Sequence, residues 1–170
     1  MPLKPHFTLV VMGVAGSGKS TVGRIVAERT GADFADADDF HPPANRRKME
    51  SGEELDDADR QPWLEALRDH IRRTNEGGRT LVLACSALKR RYREVLREAG
   101  PQVAFVHLEG SRELLLERLA GRTGHFFPPE LLDSQLATLE RPRSALVLDI
   151  SASPDGLATQ ILVPFFNRLP

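Results

Sequence analysis

Eight consecutive residues near the start of the chain have the composition of a phosphate-binding loop. From Gly13 to Ser20 they read Gly-Val-Ala-Gly-Ser-Gly-Lys-Ser and match the pattern G-x-x-x-x-G-K-[ST]. Glycines allow consecutive backbone N–H groups to turn inward around phosphate oxygens without Cβ clashes. Lys19 would reach the β- and γ-phosphates, and the Ser20 hydroxyl would ligate Mg²⁺. The predicted nucleotide contacts are Gly13, Val14, Ala15, Gly16, Ser17, Gly18, Lys19, Ser20 and Thr21.

The same loop serves GTPases, motor ATPases and small-molecule kinases, so other motifs must decide among them. A GTPase switch of the D-x-x-G type cannot be drawn, because no glycine follows an aspartate by three residues, and the sequence has no N-K-x-D motif. The apolar run 81–85 also ends without the acidic residue that ATPases usually carry on a strand. The cofactors expected are therefore ATP and Mg²⁺, and a carboxylate for the metal must come from elsewhere.

The segment Asp36-Ala37-Asp38-Asp39 can supply that carboxylate. Side chains alternate along a strand, so Asp36 and Asp38 are expected on the same side. Ligands bind at the C-terminal edge of a parallel sheet, where the phosphate loop also leaves its strand. We assign Asp36 to the metal, through water, and Asp38 to the acceptor hydroxyl as general base or positioning acceptor. Taken alone, the acidic run is equally compatible with a solvated loop.

Two arginines, Arg118 and Arg122, lie four residues apart at the end of a predicted helix and can share one face. Guanidinium groups suit stacking on adenine and neutralising charge on a transferring phosphoryl group. We assign Arg118 to the nucleotide and Arg122 to catalysis, although a basic last turn that complements the helix dipole is an alternative for Arg118. Residues 121–130 contain two glycines, two prolines, Phe126 and Phe127, which predicts a lid over the site.

These residues need a scaffold, and the hydrophobic pattern predicts one. Five apolar runs alternate with segments of helical periodicity, as in parallel strands joined by helices. The runs are 7–12, 33–36, 80–85, 103–108 and 145–150. The expected helices are 19–30, 44–50, 60–76, 87–99, 111–120, 129–139 and 155–165. The predicted fold is α/β, with a parallel five-stranded sheet flanked by helices.

Residues 1–170 are expected to form one domain, with a substrate-side insertion at about 38–62 and the lid at about 121–130. The chain carries 23 basic and 24 acidic side chains, so a nucleic-acid partner is not expected. The first apolar run is too short to span a membrane, so no membrane association is expected. The single cysteine, Cys85, excludes a disulfide within the chain and fits a cytoplasmic protein.

Several motifs together resemble the gluconokinase family, and they occur in that family's order. Besides the phosphate loop they are Asp36-Ala37-Asp38-Asp39-Phe40-His41-Pro42, Asn45 with Lys48-Met49, Gly52, Asp59-Arg60-Gln61-Pro62-Trp63-Leu64, Cys85-Ser86-Ala87-Leu88-Lys89 with Tyr92-Arg93, and Gly124-His125-Phe126-Phe127. The resemblance spans about residues 7–150. It implies ATP-dependent phosphorylation of D-gluconate to 6-phosphogluconate, on a P-loop fold of the nucleoside-monophosphate-kinase-like type, usually as a homodimer.

By position in that family, the residues expected near the substrate are Asp38, His41, Lys48, Arg60, Lys89 and Gln135. A sugar acid needs a cation for its carboxylate and hydrogen-bonding groups for its hydroxyls. Two other hypotheses stay open on the residues alone. One is a shikimate-type or nucleoside-monophosphate kinase, and the other is a nucleotide-sensing P-loop protein without turnover.

Overall fold

The computed structural model describes residues 6–122 and 127–166, which form a five-stranded sheet with helices on both faces. The strands are β1 (Thr8–Met12), β2 (Asp33–Asp36), β3 (Leu81–Ala84), β4 (Val103–Glu109) and β5 (Leu146–Asp149). The helices are α1 (Lys19–Thr30), α2 (Pro43–Glu50), α3 (Asp57–Glu76), α4 (Arg90–Arg97), α5 (Arg112–Ala120), α6 (Pro129–Thr138) and α7 (Pro154–Phe166), and a 3₁₀ turn spans Ala37–Phe40. None of these helices is long and apolar enough to cross a membrane.

The strand order is β2-β3-β1-β4-β5, and all four pairings are parallel. The predicted fold is therefore confirmed. Parallel strands bring all their C-terminal ends to one edge, so the loop after β1, the acidic turn after β2 and the segment after β3 lie side by side. The sheet thus gathers residues from distant parts of the sequence at one edge.

Strand β1 is completely buried, and its alternate side chains supply both faces of the sheet. Leu9 and Val11 belong to the core layer that contains residues of α1 and α7. Val10 and Met12 belong to the opposite layer, which contains residues of α3 and α4. Two-sided burial of this kind explains why the run is continuously apolar rather than alternating.

Two helices start three residues away from the predicted position, and the other helix boundaries differ by at most two residues. The helix predicted over 87–99 begins only at Arg90, because Ala87 has a φ of 45°, outside the helical region. In the other direction, α3 begins at Asp57 rather than residue 60. The Asp56 carboxylate accepts the Asp59 N–H at 2.7 Å, and the Asp59 carboxylate accepts the Asp56 N–H at 3.0 Å, so a capping box extends the helix. The predicted insertion 38–62 is therefore largely helical.

Candidate active site

The phosphate loop joins β1 to α1 at the C-terminal edge of the sheet. Gly13 has a φ of 153°, and a Cβ there would lie 2.6 Å from Ser17 Oγ and 2.8 Å from the Leu108 carbonyl oxygen. Gly18, with a φ of 90°, immediately precedes α1. The unpaired N–H groups of the first helical turn therefore point back toward the loop and favour an anion there.

The loop borders a cavity of about 290 Å³, and most of the predicted chemical groups meet in its wall. The lining residues are Ala15, Gly16, Gly18, Lys19, Ser20, Thr21, Asp36, Asp38, Ala84, Cys85, Ser86, Arg122, Phe127 and Gln135. Three predicted nucleotide contacts, Gly13, Val14 and Ser17, lie behind this wall. Ser17 is fully buried and donates its hydroxyl to the Val14 carbonyl oxygen at 2.7 Å, so its side chain closes the loop instead of facing a phosphate.

Lys19 is one of two cationic residues that the structure describes in the cavity wall, together with Arg122. Its Nζ donates to the Val14 carbonyl oxygen at 3.1 Å, which holds the side chain across the loop. Desolvation in the cavity lowers the pKa of Lys19, and Arg122 adds to this effect, whereas Asp38 and Asp36 oppose it. The negative charge of a bound polyphosphate would favour the charged form of Lys19.

Asp36 ends β2 and accepts two hydrogen bonds. The Ser20 hydroxyl donates to its Oδ2 at 2.8 Å, and the Asp38 N–H donates to its Oδ1 at 3.0 Å. While the Ser20 proton points at Asp36, the lone pairs of that hydroxyl oxygen are available to a cation. A serine oxygen backed by a carboxylate suits Mg²⁺, which is bound by few protein oxygens together with water and phosphate.

Asp38 lies two residues farther on, in the 3₁₀ turn, and its carboxylate faces the same cavity. Desolvation is the main cause that raises the pKa of Asp38, and the Asp36 carboxylate raises it further, against the opposing effect of Lys19. A carboxylate with a raised pKa is a better proton acceptor than an ordinary one. The arrangement therefore places a basic carboxylate opposite the phosphate loop.

Gln135 reaches the cavity from α6. Its Oε1 accepts the Ala15 N–H at 2.8 Å, so this predicted substrate neighbour is bonded to the phosphate loop itself. Backbone N–H groups of such loops are the donors to nucleotide phosphates. A bound nucleotide would therefore compete with Gln135 for the amide of Ala15.

Three predicted substrate cations, Lys48, Arg60 and Lys89, do not line the cavity. Lys48 donates to both carboxylate oxygens of Asp59, at 2.9 and 3.1 Å, and this hydrogen bonding raises the pKa of Lys48. Lys89 is paired in the same way with Asp57 at 3.1 and 3.3 Å. Arg60 donates to the Tyr92 hydroxyl at 3.3 Å.

His41 is buried against α3 rather than exposed to the cavity. Its ring stacks on Trp63 with centroids 4.4 Å apart. The Asn45 Nδ2 donates to the Asp59 carbonyl oxygen at 2.9 Å and lies 3.2 Å from His41 Nδ1, which must then accept. Burial lowers the pKa of His41 to about 4, with Arg46 and Arg60 adding to the effect. The ring is therefore neutral at pH 7 and carries its proton on Nε2.

This burial predicts a pH dependence of stability. His41 binds a proton near pH 6.5 in the unfolded chain and only near pH 4 in the folded chain. Its contribution to the free energy of unfolding is therefore fully present above pH 6.5, decreases as the pH falls below 6.5, and is lost once the pH has fallen through 4. The contribution is at most roughly 3 kcal/mol of unfolding free energy. Denaturant titrations between pH 7 and 4 should show a weaker pH dependence for His41→Gln than for the unmodified protein. Equal dependences would contradict the buried neutral ring.

The two arginines near the predicted lid have different surroundings. Arg122 lines the cavity, as expected for a residue near the transferring phosphoryl group. Arg118 does not line it, and its guanidinium donates to the carbonyl oxygen of Ile150 at the end of β5. Within the predicted lid 121–130, residues 123–126, which include its second glycine, its histidine and its first phenylalanine, lie outside the described residues.

Sequence reasoning missed several groups at the site. Ser86 lines the cavity, and Asp57 and Asp59 hold Lys89 and Lys48, whereas Phe127, which also lines the cavity, was named in the predicted lid. The position of Ser86 directly after a buried strand could have indicated the first of these, because that strand ends at the ligand-binding edge. No sequence signal pairs Asp57 with Lys89, since they are 32 residues apart.

Comparisons with known proteins agree with this geometry. A family model described as an AAA domain matches residues 9–142. A gluconokinase of Gluconobacter oxydans (strain 621H) is 53% identical over 142 residues, covering 84% of this chain and 79% of the relative. The thermoresistant gluconokinase of Escherichia coli (strain K12) is 41% identical over 161 residues, covering 92% of each chain. The crystal structure of a gluconokinase from Sinorhizobium meliloti 1021 superimposes with a TM-score of 0.85 at 45% identity, covering 94% of this chain and 90% of that one. The chain therefore belongs to the gluconokinase family of P-loop kinases.

Proposed function

We propose that this protein transfers the γ-phosphoryl group of ATP to a hydroxyl of D-gluconate and produces 6-phospho-D-gluconate. One observation carries the proposal: a single cavity combines the phosphate loop and Lys19 with the basic carboxylate of Asp38, in a chain of the gluconokinase family. Phosphoryl transfer needs few covalent steps from the protein and depends on positioning and charge stabilisation. The residues of the cavity wall supply both.

On the nucleotide side, we assign Lys19 and Arg122 to stabilising charge on the transferring group, and the backbone of residues 13–21 together with Arg118 to nucleotide binding. Ser20 would ligate Mg²⁺, and Asp36 would hold it through water, because both offer hard oxygen atoms and already share a hydrogen bond of 2.8 Å. When bound, Mg²⁺ neutralises charge on the phosphate oxygens.

On the acceptor side, we assign Asp38 to the reacting hydroxyl. In the free base form the carboxylate can accept the hydroxyl proton as the new O–P bond forms. Lys48, Arg60 and Lys89 supply the positive charge for the gluconate carboxylate, and His41 supplies an Nε2–H donor for a hydroxyl. Because Asp59 and Asp57 now occupy two of these cations, gluconate would share or displace existing ion pairs.

A shikimate-type or nucleoside-monophosphate kinase is not favoured, because the relatives at 41–53% identity are gluconokinases. Initial rates of ADP release with ATP and Mg²⁺ distinguish the acceptors. D-gluconate should increase the rate at least a hundredfold over the acceptor-free rate, whereas shikimate and AMP should not. Release of ADP without dependence on any acceptor would contradict a kinase function.

Arg122 provides a test of the charge assigned to the cavity. Arg122→Ala should lower kcat roughly a hundredfold, by loss of transition-state charge stabilisation, with little change in melting temperature. Arg143→Ala is the matched control, because Arg143 is exposed and lies outside the cavity lining. Equal kcat values for both variants and the unmodified protein would remove Arg122 from the catalytic group.

We also propose that the enzyme acts as a cytoplasmic homodimer, without a nucleic-acid or membrane partner. Family membership supports the homodimer, and the near-neutral net charge of −1 supports the lack of a nucleic-acid partner. Light scattering coupled to size-exclusion chromatography tests the dimer directly. A mass of 18.9 kDa at micromolar concentration would contradict it.

A further inference from the structure

The carboxylate of Asp38 is held in the cavity by its backbone. Within residues 6–122 and 127–166, no hydrogen bond or ion pair reaches its side-chain oxygens. The position of this carboxylate therefore depends on how firmly the 3₁₀ turn Ala37–Phe40 is fixed. A general base must lie within about 3 Å of the proton it accepts, so small movements of this turn would matter.

Three groups fix the turn. The Asp36 carboxylate caps its start by accepting the Asp38 N–H. From the solvent side, the Arg46 guanidinium donates to the carbonyl oxygens of Asp39 at 3.0 Å and His41 at 3.2 Å. From the interior, the Trp63 indole N–H donates to the Ala37 carbonyl oxygen at 2.7 Å. Of these three, only the bond from Trp63 is buried and thereby protected from competition with water.

Trp63 also contacts His41, at the other end of the same turn. Its indole is 4% exposed and lies nearly parallel to the His41 ring, with an interplanar angle of 13°. The N–H of Trp63 therefore contacts Ala37, the residue before the proposed base. Its ring face contacts His41, the proposed hydrogen-bond donor to a gluconate hydroxyl. Any buried indole N–H needs an acceptor, but here the acceptor is the carbonyl oxygen of the residue that precedes the proposed base.

We propose that Trp63 is a positioning residue for phosphoryl transfer: its N–H fixes the backbone that carries Asp38, and its ring holds His41 against the same turn. This inference rests on the proposed function, in which Asp38 accepts the proton of the reacting gluconate hydroxyl. Trp63 does not line the cavity. It acts through Ala37 and His41.

The test separates the N–H from the ring. Trp63 is the only tryptophan, so growth with benzothienylalanine exchanges the N–H for sulfur at this position alone and keeps the bicyclic shape. Trp63→Phe removes the N–H and keeps one aromatic ring. Thr8→Val is the control, because it removes a buried hydrogen bond of 3.0 Å to Asn75 at the opposite end of β1.

We expect both Trp63 replacements to lower kcat about tenfold with the KM for ATP unchanged. Thr8→Val should lower the melting temperature with kcat unchanged. Normal kcat in the benzothienylalanine protein, or equal losses of kcat in Thr8→Val, would overturn the inference. If instead the unmodified protein shows no turnover with gluconate, the proposed function itself fails.

Discussion

Replacing Lys19 with Met is expected to lower kcat by about 10³-fold or more and to leave the fold intact. Lys19 is the cation that crosses the phosphate loop, and Met has a similar length without charge. Desolvation lowers the pKa of Lys19 in the free enzyme, which means that the charged form is poorly stabilised there. Bound phosphate oxygens would therefore stabilise the charged form strongly. Removing the Lys19 ammonium group therefore removes stabilisation of the negative charge on the phosphate oxygens in the transition state.

The same substitution at Arg24 is a suitable control. Arg24→Met also removes a cation from α1, at an exposed position that stacks over Phe34 at 4.4 Å. Its kcat should stay within about twofold of the unmodified value. The stability of the Lys19 variant follows from thermal melts. Near-normal turnover in Lys19→Met would exclude Lys19 from stabilising the transferring phosphoryl group.

Replacing Asp38 with Asn is expected to lower kcat by roughly 10² to 10⁴-fold, with the affinity for ATP little changed. Asn retains the shape of the side chain and cannot accept the hydroxyl proton. Since desolvation and Asp36 raise the pKa of Asp38 in the free enzyme, kcat/KM of the unmodified enzyme should fall as the pH drops through a value above that of an ordinary aspartate. This acid limb should disappear in Asp38→Asn.

Asp39→Asn is the matched control, because Asp39 is adjacent, exposed and outside the cavity lining. It should retain kcat and the acid limb. Loss of kcat or of the acid limb in Asp39→Asn would contradict the assignment of the base to Asp38 alone. If Asp38→Asn strongly lowered the affinity for ATP while acceptor-dependent turnover at saturating ATP survived, Asp38 would be the metal residue and the role of base would pass to Asp36.

The phosphate loop and the acidic pair show how far sequence reasoning reaches. Backbone conformation dictates the glycines of the loop, so the motif predicts the local structure directly. Asp36 and Asp38 do meet at the cavity, but the physical reason differs from the one predicted. The strand ends at Asp36, and the 3₁₀ turn, rather than strand alternation, brings Asp38 to the same side.

The acceptor side could not be predicted to the same degree, because it depends on contacts between distant segments. The ion pairs of Lys48 and Lys89 require the first turn of α3, whose start depends on the cap at Asp56. The neutrality of His41 requires the ring of Trp63 and the amide of Asn45. No spacing rule places these groups together, since only tertiary packing decides their distances.

The most direct test of the central claim is the identity of the phosphorylated product. Limiting ATP and Mg²⁺ are added to the enzyme with equimolar D-gluconate, shikimate and AMP, and the products are identified by phosphorus and carbon NMR. We expect one new phosphomonoester, with phosphorus coupled to C6 of gluconate, in an amount equal to the ADP formed. Phosphate transferred to shikimate or AMP in preference to gluconate, or released only as inorganic phosphate, would contradict it.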